Sequence, residues 1–176
     1  ISRYPRSSYL ADAYLWCGSA YLSLAEYDSA TIKLSVVVNN YPKSEKYNIA
    51  LMNLAVARMN AGDYAAAIEY FNKYLVFEPT VRNKIAGGEI AAYEYLGDCC
   101  FNLQRYSAAE DNYLRALESN KAATVAYKLF KTRYQLKKYG ECLDLNKEYG
   151  FETADTRALP QSELARLNYY LGDIYF

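Results

Sequence analysis

A short pattern of residues recurs five times along this chain, and it limits the possible folds more than composition does. In each complete copy a small residue follows a mostly aliphatic one, a tyrosine stands nine residues later, and three residues beyond it comes a further small residue. A period of this size predicts a stack of similar helical units, each packed mainly against its neighbours. The first of the two small residues of each copy is Gly18, Ala55, Gly97 or Gly172, and Phe130 takes this position in the fourth copy.

Apolar residues recur at helical spacing on both sides of each turn, so every unit is predicted to be an antiparallel helix pair. The turns are LAEYD, NAGDY, LQRYS and LKKYG, which begin at residues 24, 60, 103 and 136. Pro42 and Pro79 fall between units, where a helix must end because proline lacks an N–H group. The predicted helices are 8–24 with 27–40, 45–60 with 64–77, 87–103 with 106–119, 122–136 with 139–149, and 161–175 alone.

The recurring small residues have a mechanical explanation. Helix axes about 8–10 Å apart leave no room for a bulky side chain between them. Glycine inside a helix costs about 1 kcal/mol relative to alanine, so Gly18, Gly97 and Gly172 need a packing reason. We therefore predict that these positions let the two helices of a unit approach closely. Phe130 and Cys142 depart from the rule, which predicts a looser or tilted fourth pair.

These residues resemble the tetratricopeptide repeat (TPR), a helix–turn–helix unit with the pattern W-x2-L-G-x2-Y…A-x3-F…P. The resemblance implies an all-α, right-handed superhelical solenoid of antiparallel helix pairs, with about four repeats plus a partial fifth. We expect a single array over residues 1–176, as a fragment of a longer protein, with repeats at 11–44, 48–81, 90–123, 123–156 and 161–176. The first copy reads Tyr14, Cys17, Gly18, Tyr21, Ala30, Leu34 and Pro42.

Two features point to different cellular locations, and both remain open. The joints YPRS at 4–7 and YPKS at 41–44 are similar to those of bacterial cell-envelope TPR proteins of the Tol-Pal and outer-membrane assembly lipoprotein kind, which implies the periplasm or envelope. The cysteines lack C-x-x-C spacing and are predicted to be free, mostly buried thiols, which favours a reducing compartment such as the cytoplasm. They are Cys17, Cys99, Cys100 and Cys142.

Composition argues against several functional classes. The chain contains no histidine, which excludes His-based acid–base chemistry, Ser-His and Cys-His nucleophilic pairs and His-bearing metal sites. Glu94 and Asp98 share a helix face, but nothing completes a catalytic group around them, so we predict no enzyme activity and no cofactor. The net charge of zero disfavours nucleic acid as a partner, and no apolar run reaches the roughly 18 residues of a membrane span.

In TPR proteins the first helix of each repeat lines a concave groove, so the resemblance implies a protein-binding groove here. The leading prediction is a scaffold that binds a protein or peptide segment. A clamp for a terminal carboxylate is not expected, because the early positions lack its paired lysines and asparagines. The projected groove residues are Leu15, Ser19, Leu22, Met52, Asn53, Val56, Met59, Glu94, Asp98, Phe101, Asn102, Tyr127, Lys131, Tyr134, Tyr169 and Asp173.

Several alternatives stay open. The chain could self-assemble through apolar repeat ends, or form the regulatory arm of a larger enzyme. The 21 tyrosines either serve repeat packing or form an aromatic binding strip. The basic stretch from Lys121 to Lys138 contains no acidic residue, and it is either a solvated face paired within the chain or a surface for an acidic ligand. The long joints 78–89 and 150–163 are either lengthened turns or functional loops.

Overall fold

The computed structural model describes residues 9–77, 85–119, 121–151 and 159–175. Regular structure in these ranges is entirely helical, and the ends of the predicted helices are correct to within two residues. The joint at 4–7, Pro79 and most of the joints 78–89 and 150–163 lie outside the described residues. The helices are α1 Leu10–Ser23, α2 Tyr27–Asn40, α3 Tyr47–Asn60, α4 Tyr64–Val76, α5 Gly88–Asn102, α6 Tyr106–Ser119, α7 Ala123–Gln135, α8 Tyr139–Tyr149 and α9 Gln161–Tyr175.

The chain divides into two compact units, Ile1–Cys99 and Cys100–Phe176, and the division falls inside α5. In unit 1, α1 packs on α2, α2 on α3, and α3 on α4. In unit 2, α6 packs on α7 and α7 on α8. The α1–α2, α3–α4 and α7–α8 contacts are helix pairs that the repeat pattern predicts, and the α2–α3 and α6–α7 contacts join successive pairs. The single array over residues 1–176, its repeat bounds and its right-handed superhelix stay predictions.

Close approach within the first helix pair depends on Gly18. A Cβ atom placed on this glycine would lie 2.6 Å from Cγ and 2.9 Å from Cδ2 of Leu34 on α2. Since real Cβ atoms do not approach other atoms so closely, only glycine fits here without a shift of the Leu34 side chain or of its helix. Ala30, on the same helix as Leu34, is fully buried. The predicted packing reason for this glycine is therefore confirmed.

In the fourth helix pair a bulky side chain, Phe130, takes the repeat position of Gly18. Phe130 on α7 and Cys142 on α8 are both fully buried, and the Cys142 thiol donates a hydrogen bond to the Phe130 carbonyl oxygen at 3.6 Å. The Phe130 ring packs against Phe151 and Tyr170, with ring centroids 6.3 Å away in both cases. The larger residue at this position is thus enclosed by aromatic neighbours.

The four helix-pair turns share one backbone conformation. Ala25, Gly62, Gln104 and Lys137 each stand two residues before the tyrosine that begins the next helix, and all have a positive φ, between 58° and 82°. Only glycine adopts this left-handed conformation without a steric penalty. Three of the four turns therefore carry a mildly strained residue.

At the junction after α2, the Ser44 N–H donates to the Tyr41 carbonyl oxygen at 3.0 Å, so Pro42 lies in a turn as predicted.

The cysteines are free, as predicted. Cys99, Cys100 and Cys142 are buried and Cys17 is half-buried. Burial raises the pKa of the Cys142 thiol to about 12 and also raises that of Cys100. Since the thiolate is the reactive form, these thiols act as small apolar residues of the core.

Candidate protein-binding faces

The first helices of the first two repeats lie side by side in unit 1. The Asn53 side-chain amide on α3 donates a hydrogen bond to Ser19 Oγ on α1 at 3.0 Å. Leu22, Val56 and Met59, each three or six residues further along these helices, are half-buried against the edge of the core. We call these five residues the unit 1 face. Half-exposed apolar side chains around a polar pair offer contact area and a point of hydrogen bonding to a protein segment.

Three projected groove residues belong to the core instead. Leu15 and Tyr127 are each only 1% exposed, and Met52 is 8% exposed. The Tyr127 hydroxyl donates to the Glu163 carbonyl oxygen at 3.0 Å, which ties α7 to α9. Side chains with so little accessible surface stabilise the packing of adjacent helices and are not available to a ligand. We therefore correct their assignment from groove to core.

The projected positions on α5 are divided between the two units. Glu94 and Asp98 are half-buried in unit 1. In unit 2, Phe101 is half-buried and packs edge-on against Tyr106, with ring centroids 5.4 Å apart, while Asn102 is exposed. Phe101 thus has a structural neighbour and also retains accessible surface.

Unit 2 contains a cluster of tyrosines around one carboxylate. The Tyr134 hydroxyl on α7 donates to the Asp173 carboxylate on α9. This hydrogen bond, with partial burial, raises the pKa of Tyr134 to about 12. The Tyr134 and Tyr170 ring centroids are 4.5 Å apart, and Tyr169 lies edge-on to Tyr170 at 5.9 Å. We call Tyr134, Tyr169, Tyr170 and Asp173 the unit 2 cluster.

Lys131 lies next to this cluster but contacts a different ring. Its Nζ atom is 4.9 Å from the ring centroid of Tyr127, one helical turn earlier on α7. A cation over an aromatic face is attracted by the negative potential of the ring. The structure thus holds the one projected groove lysine against a tyrosine of its own helix.

The basic stretch is neutralised within the chain at several positions. Arg133 Nε lies 2.9 Å from Glu110 Oε1, and Lys138 Nζ lies 2.7 Å from Glu110 Oε2. Both cations also pair with Glu141, at 3.1 and 3.9 Å, and Lys121 lies 3.8 Å from Glu148. Among the two alternatives for this stretch, the contacts favour intramolecular pairing over a surface for an acidic ligand.

Glu110 is the centre of this ion-pair network, and its side chain is only 8% exposed. Burial alone would raise the pKa of the Glu110 carboxyl. The hydrogen bonds and charges of Lys138 and Arg133 outweigh that effect, so the pKa lies below its ordinary value. Sequence reasoning did not identify Glu110, because its partners lie 23 and 28 residues further along the chain.

Other kinds of site find little support in the described residues. No group of three or more His, Cys, Asp or Glu side chains there is arranged to hold a metal ion. None of the helices described is long and apolar enough to cross a membrane. One pocket lies at the turn between α1 and α2, lined by residues 25–29 and Ala61, and no projected groove residue contributes to it.

A sequence model of the tetratricopeptide repeat matches residues 12–44 and 49–79, which correspond to the first two predicted repeats. The match supports the TPR resemblance in this part of the chain. Repeats of this family generally mediate protein–protein interactions, and proteins with this fold are typically non-catalytic scaffolds. No curated protein sequence matches the chain significantly.

Two solved structures are similar in fold. The crystal structure of MamA protein is 18% identical with a TM-score of 0.72, covering 96% of this chain and 91% of that one. The crystal structure of the apo form of RapI is 15% identical with a TM-score of 0.74, covering 99% of this chain but only 50% of that one. These matches confirm the predicted all-α helical repeat. Neither supports the narrower resemblance to envelope lipoproteins.

Proposed function

We propose that this chain is a protein–protein interaction scaffold, in which the first helices of the repeats bind a segment of a partner protein. One observation carries the proposal: residues projected from separate repeats lie within hydrogen-bonding distance of each other. Ser19 meets Asn53 in unit 1, and Tyr134 meets Asp173 in unit 2. First helices placed side by side offer a continuous surface to an extended or helical segment.

The unit 1 face is suited to moderate, partly apolar binding. Leu22, Val56 and Met59 keep part of their surface accessible while resting on a rigid core. A preformed surface does not need to be ordered on binding, so the entropic cost falls mainly on the ligand. Met59 adds an adaptable side chain, because its thioether chain packs against irregular surfaces.

Site-specific photo-crosslinking tests the proposal on the full chain. A photoreactive amino acid at Val56 should form a specific adduct with a partner protein in extract of the source cell. The same amino acid at Val76 of α4, which is 80% exposed and outside the face, should not. With the partner purified, Val56→Glu should weaken its binding at least about tenfold, whereas Val76→Glu should not. Equal adducts at both positions, or equal affinities, would contradict binding at this face.

A second candidate function, association of two copies through α1, is favoured by a separate observation. An exposed stripe of α1 and its N-cap residue carries two large apolar side chains, Tyr9 at 75% and Trp16 at 65% accessible. Between them on this stripe lies Ala13, whose counterpart on α3, Ala50, is fully buried. The exposed α1 stripe therefore corresponds to a surface that is covered on α3, and we propose a second copy as the occupant.

Sedimentation velocity over a range of concentrations tests this association. Wild-type protein should show a concentration-dependent rise in mass, and Trp16→Glu should remove it by placing a charge in the contact. Ile32→Glu is the matched control, because Ile32 is 62% exposed on α2. A monomer at every concentration would rule out the second candidate and leave the first unaffected.

A further inference from the structure

The surroundings of Asp173 differ from those of Glu110 and Glu141, the two carboxylates of the unit 2 ion-pair network. Asp173 is exposed on α9, and the contact of its carboxylate within the described residues is the hydrogen bond from Tyr134. No described lysine or arginine pairs with it. By contrast, the carboxylates of Glu110 and Glu141 each have two cationic partners. The unit 2 cluster therefore has a carboxylate oxygen available to a ligand.

The rings beside this carboxylate are held in place. Tyr134 is oriented by its hydrogen bond to Asp173 and by packing on Tyr170 at 4.5 Å and on Tyr139 at 5.8 Å. Tyr170 is in turn packed against the buried ring of Phe130. Tyr169, next to Tyr170, is 70% exposed. The cluster thus combines fixed aromatic surface with an unpaired negative charge.

A cation is the ligand that both features attract. Tyrosine rings bind cations over their faces, and a neighbouring carboxylate adds an ion pair. Within the described residues such ring contacts are made by Lys131 over Tyr127 at 4.9 Å and by Lys73 over Tyr70 at 5.0 Å. Among side chains, arginine has the planar group that stacks on a ring and binds a carboxylate in the same geometry.

We propose that the unit 2 cluster binds an arginine side chain of the partner segment, with the guanidinium paired to Asp173 and stacked on the tyrosine rings. This inference rests on the proposed function and specifies the chemistry of the ligand. It is opposite in sign to the sequence-based alternative of an acidic ligand. Three of the basic residues that suggested that alternative, Lys121, Arg133 and Lys138, are used in ion pairs with Glu110, Glu141 and Glu148.

Nuclear magnetic resonance titration of the full chain tests the proposal without a known partner. The probes are two pools of short peptides with a degenerate background and one fixed central residue, either arginine or citrulline. Citrulline has the shape of arginine but no charge, so the comparison isolates the cation. The arginine pool should shift the Asp173 carboxylate and Tyr170 ring signals and bind about tenfold more tightly, in line with one cation–π contact and one exposed ion pair. High salt should reduce this difference.

Matched substitutions separate the cluster from general surface effects. Asp173→Asn should remove the preference for arginine, whereas Asp144→Asn, an exposed aspartate on α8, should leave it unchanged. Tyr169→Leu should weaken binding of the arginine pool, whereas Tyr175→Leu, at 67% exposed on the same helix, should not. All four side chains are exposed, so these variants are expected to fold, and circular dichroism checks that they do.

Each outcome decides the proposal. A preference for arginine that depends on Asp173 and Tyr169 supports it. Equal binding of the two pools, an unchanged preference in Asp173→Asn, or the absence of any shift in the cluster overturns it. None of these negative results affects the proposed scaffold function, since crosslinking at Val56 in unit 1 decides that separately.

Discussion

The first and fourth helix pairs use the same repeat position in opposite ways. In the α1–α2 pair, Gly18 leaves a gap that the Leu34 side chain fills. In the α7–α8 pair, Phe130 fills the position itself, and Cys142 supplies the small residue opposite. The comparison indicates that the fold requires close packing at this repeat position rather than a particular residue there, as expected for cores packed near crystal density.

The two pairs also differ in how polar groups contribute. Arg133 on α7 pairs with Glu141 on α8 and also with the buried Glu110 on α6, whereas no ion pair joins the described residues of α1 and α2. The first pair therefore depends on apolar packing and backbone geometry, and the fourth on aromatic packing and buried charge. Substitutions and pH should affect the two pairs differently.

The largest effect should come from removing the aromatic side chain at the shared position. Phe130→Ala is expected to lower the free energy of unfolding by about 3–5 kcal/mol, because it leaves a cavity beneath Phe151 and Tyr170. Urea unfolding, monitored by circular dichroism, measures this loss in the free energy of unfolding. Leu114→Ala, at a side chain that is 39% exposed, is the control and should cost far less. Similar losses for the two would show that Phe130 is not enclosed as described.

Removing the central charge of the buried ion-pair network should have the next largest effect on the free energy of unfolding. Glu110→Gln is expected to cost about 2–3 kcal/mol at neutral pH, because Arg133 and Lys138 each lose a charged partner but retain Glu141. Glu118→Gln, at an exposed residue of α6, is the control.

This effect should depend on pH with a definite sign. The folded-state pKa of Glu110 is lowered, so its contribution is fully present above the ordinary value of 4.5 and is lost as pH falls through the folded pKa. The difference between wild type and Glu110→Gln should therefore shrink on acidification below about pH 4.5. A difference that stays constant down to the lowest pH would contradict the role of the charge.

Replacing the repeat glycines by alanine should change the free energy of unfolding by a smaller amount. The change should have opposite signs at the two equivalent positions Gly18 and Gly172. Gly18→Ala is expected to cost about 1–3 kcal/mol, because the new Cβ collides with Leu34. Gly172→Ala is expected to add about 0.5–1 kcal/mol, because its Cβ meets no atom within 4 Å and alanine favours the helix. Thermal or urea unfolding measures both, and changes of the same sign would contradict the assigned packing.

The smallest effect concerns the turns. Ala25→Gly should stabilise the protein by up to about 1 kcal/mol, because φ is 58° at this residue. Gly62→Ala should destabilise it by a similar amount, since φ is 82° there and the position is otherwise open. If both substitutions prove neutral in urea unfolding, backbone strain in these turns is negligible.

Much of the fold follows from the sequence because its signals are local. Helical spacing of apolar residues places the helices to within two residues, and the turn residues place the bends between them. Gly18 signals a close approach because glycine in a helix has a cost that needs a compensating contact. The free state of the cysteines follows from their spacing and from their positions within the repeat.

The candidate faces are only partly predictable, because exposure depends on neighbours distant in sequence. Periodicity brings Ser19 and Asn53 to adjacent helices, but it does not show that Leu15, Met52 and Tyr127 are covered. Helical spacing tells which residues share a side of one helix, and not which other helix packs on that side.

The amino-acid sequence by itself therefore determined the helices, the turns and the volume pattern of the repeat, since each depends on residues within one or two helical turns. The tertiary structure alone decided which charges are paired. Glu110 meets Arg133 and Lys138 across 23 and 28 residues, and Asp173 meets Tyr134 across 39. Such contacts depend on how one helix lies against the next, and a change of one helical turn in that packing would leave the local pattern intact but pair different charges.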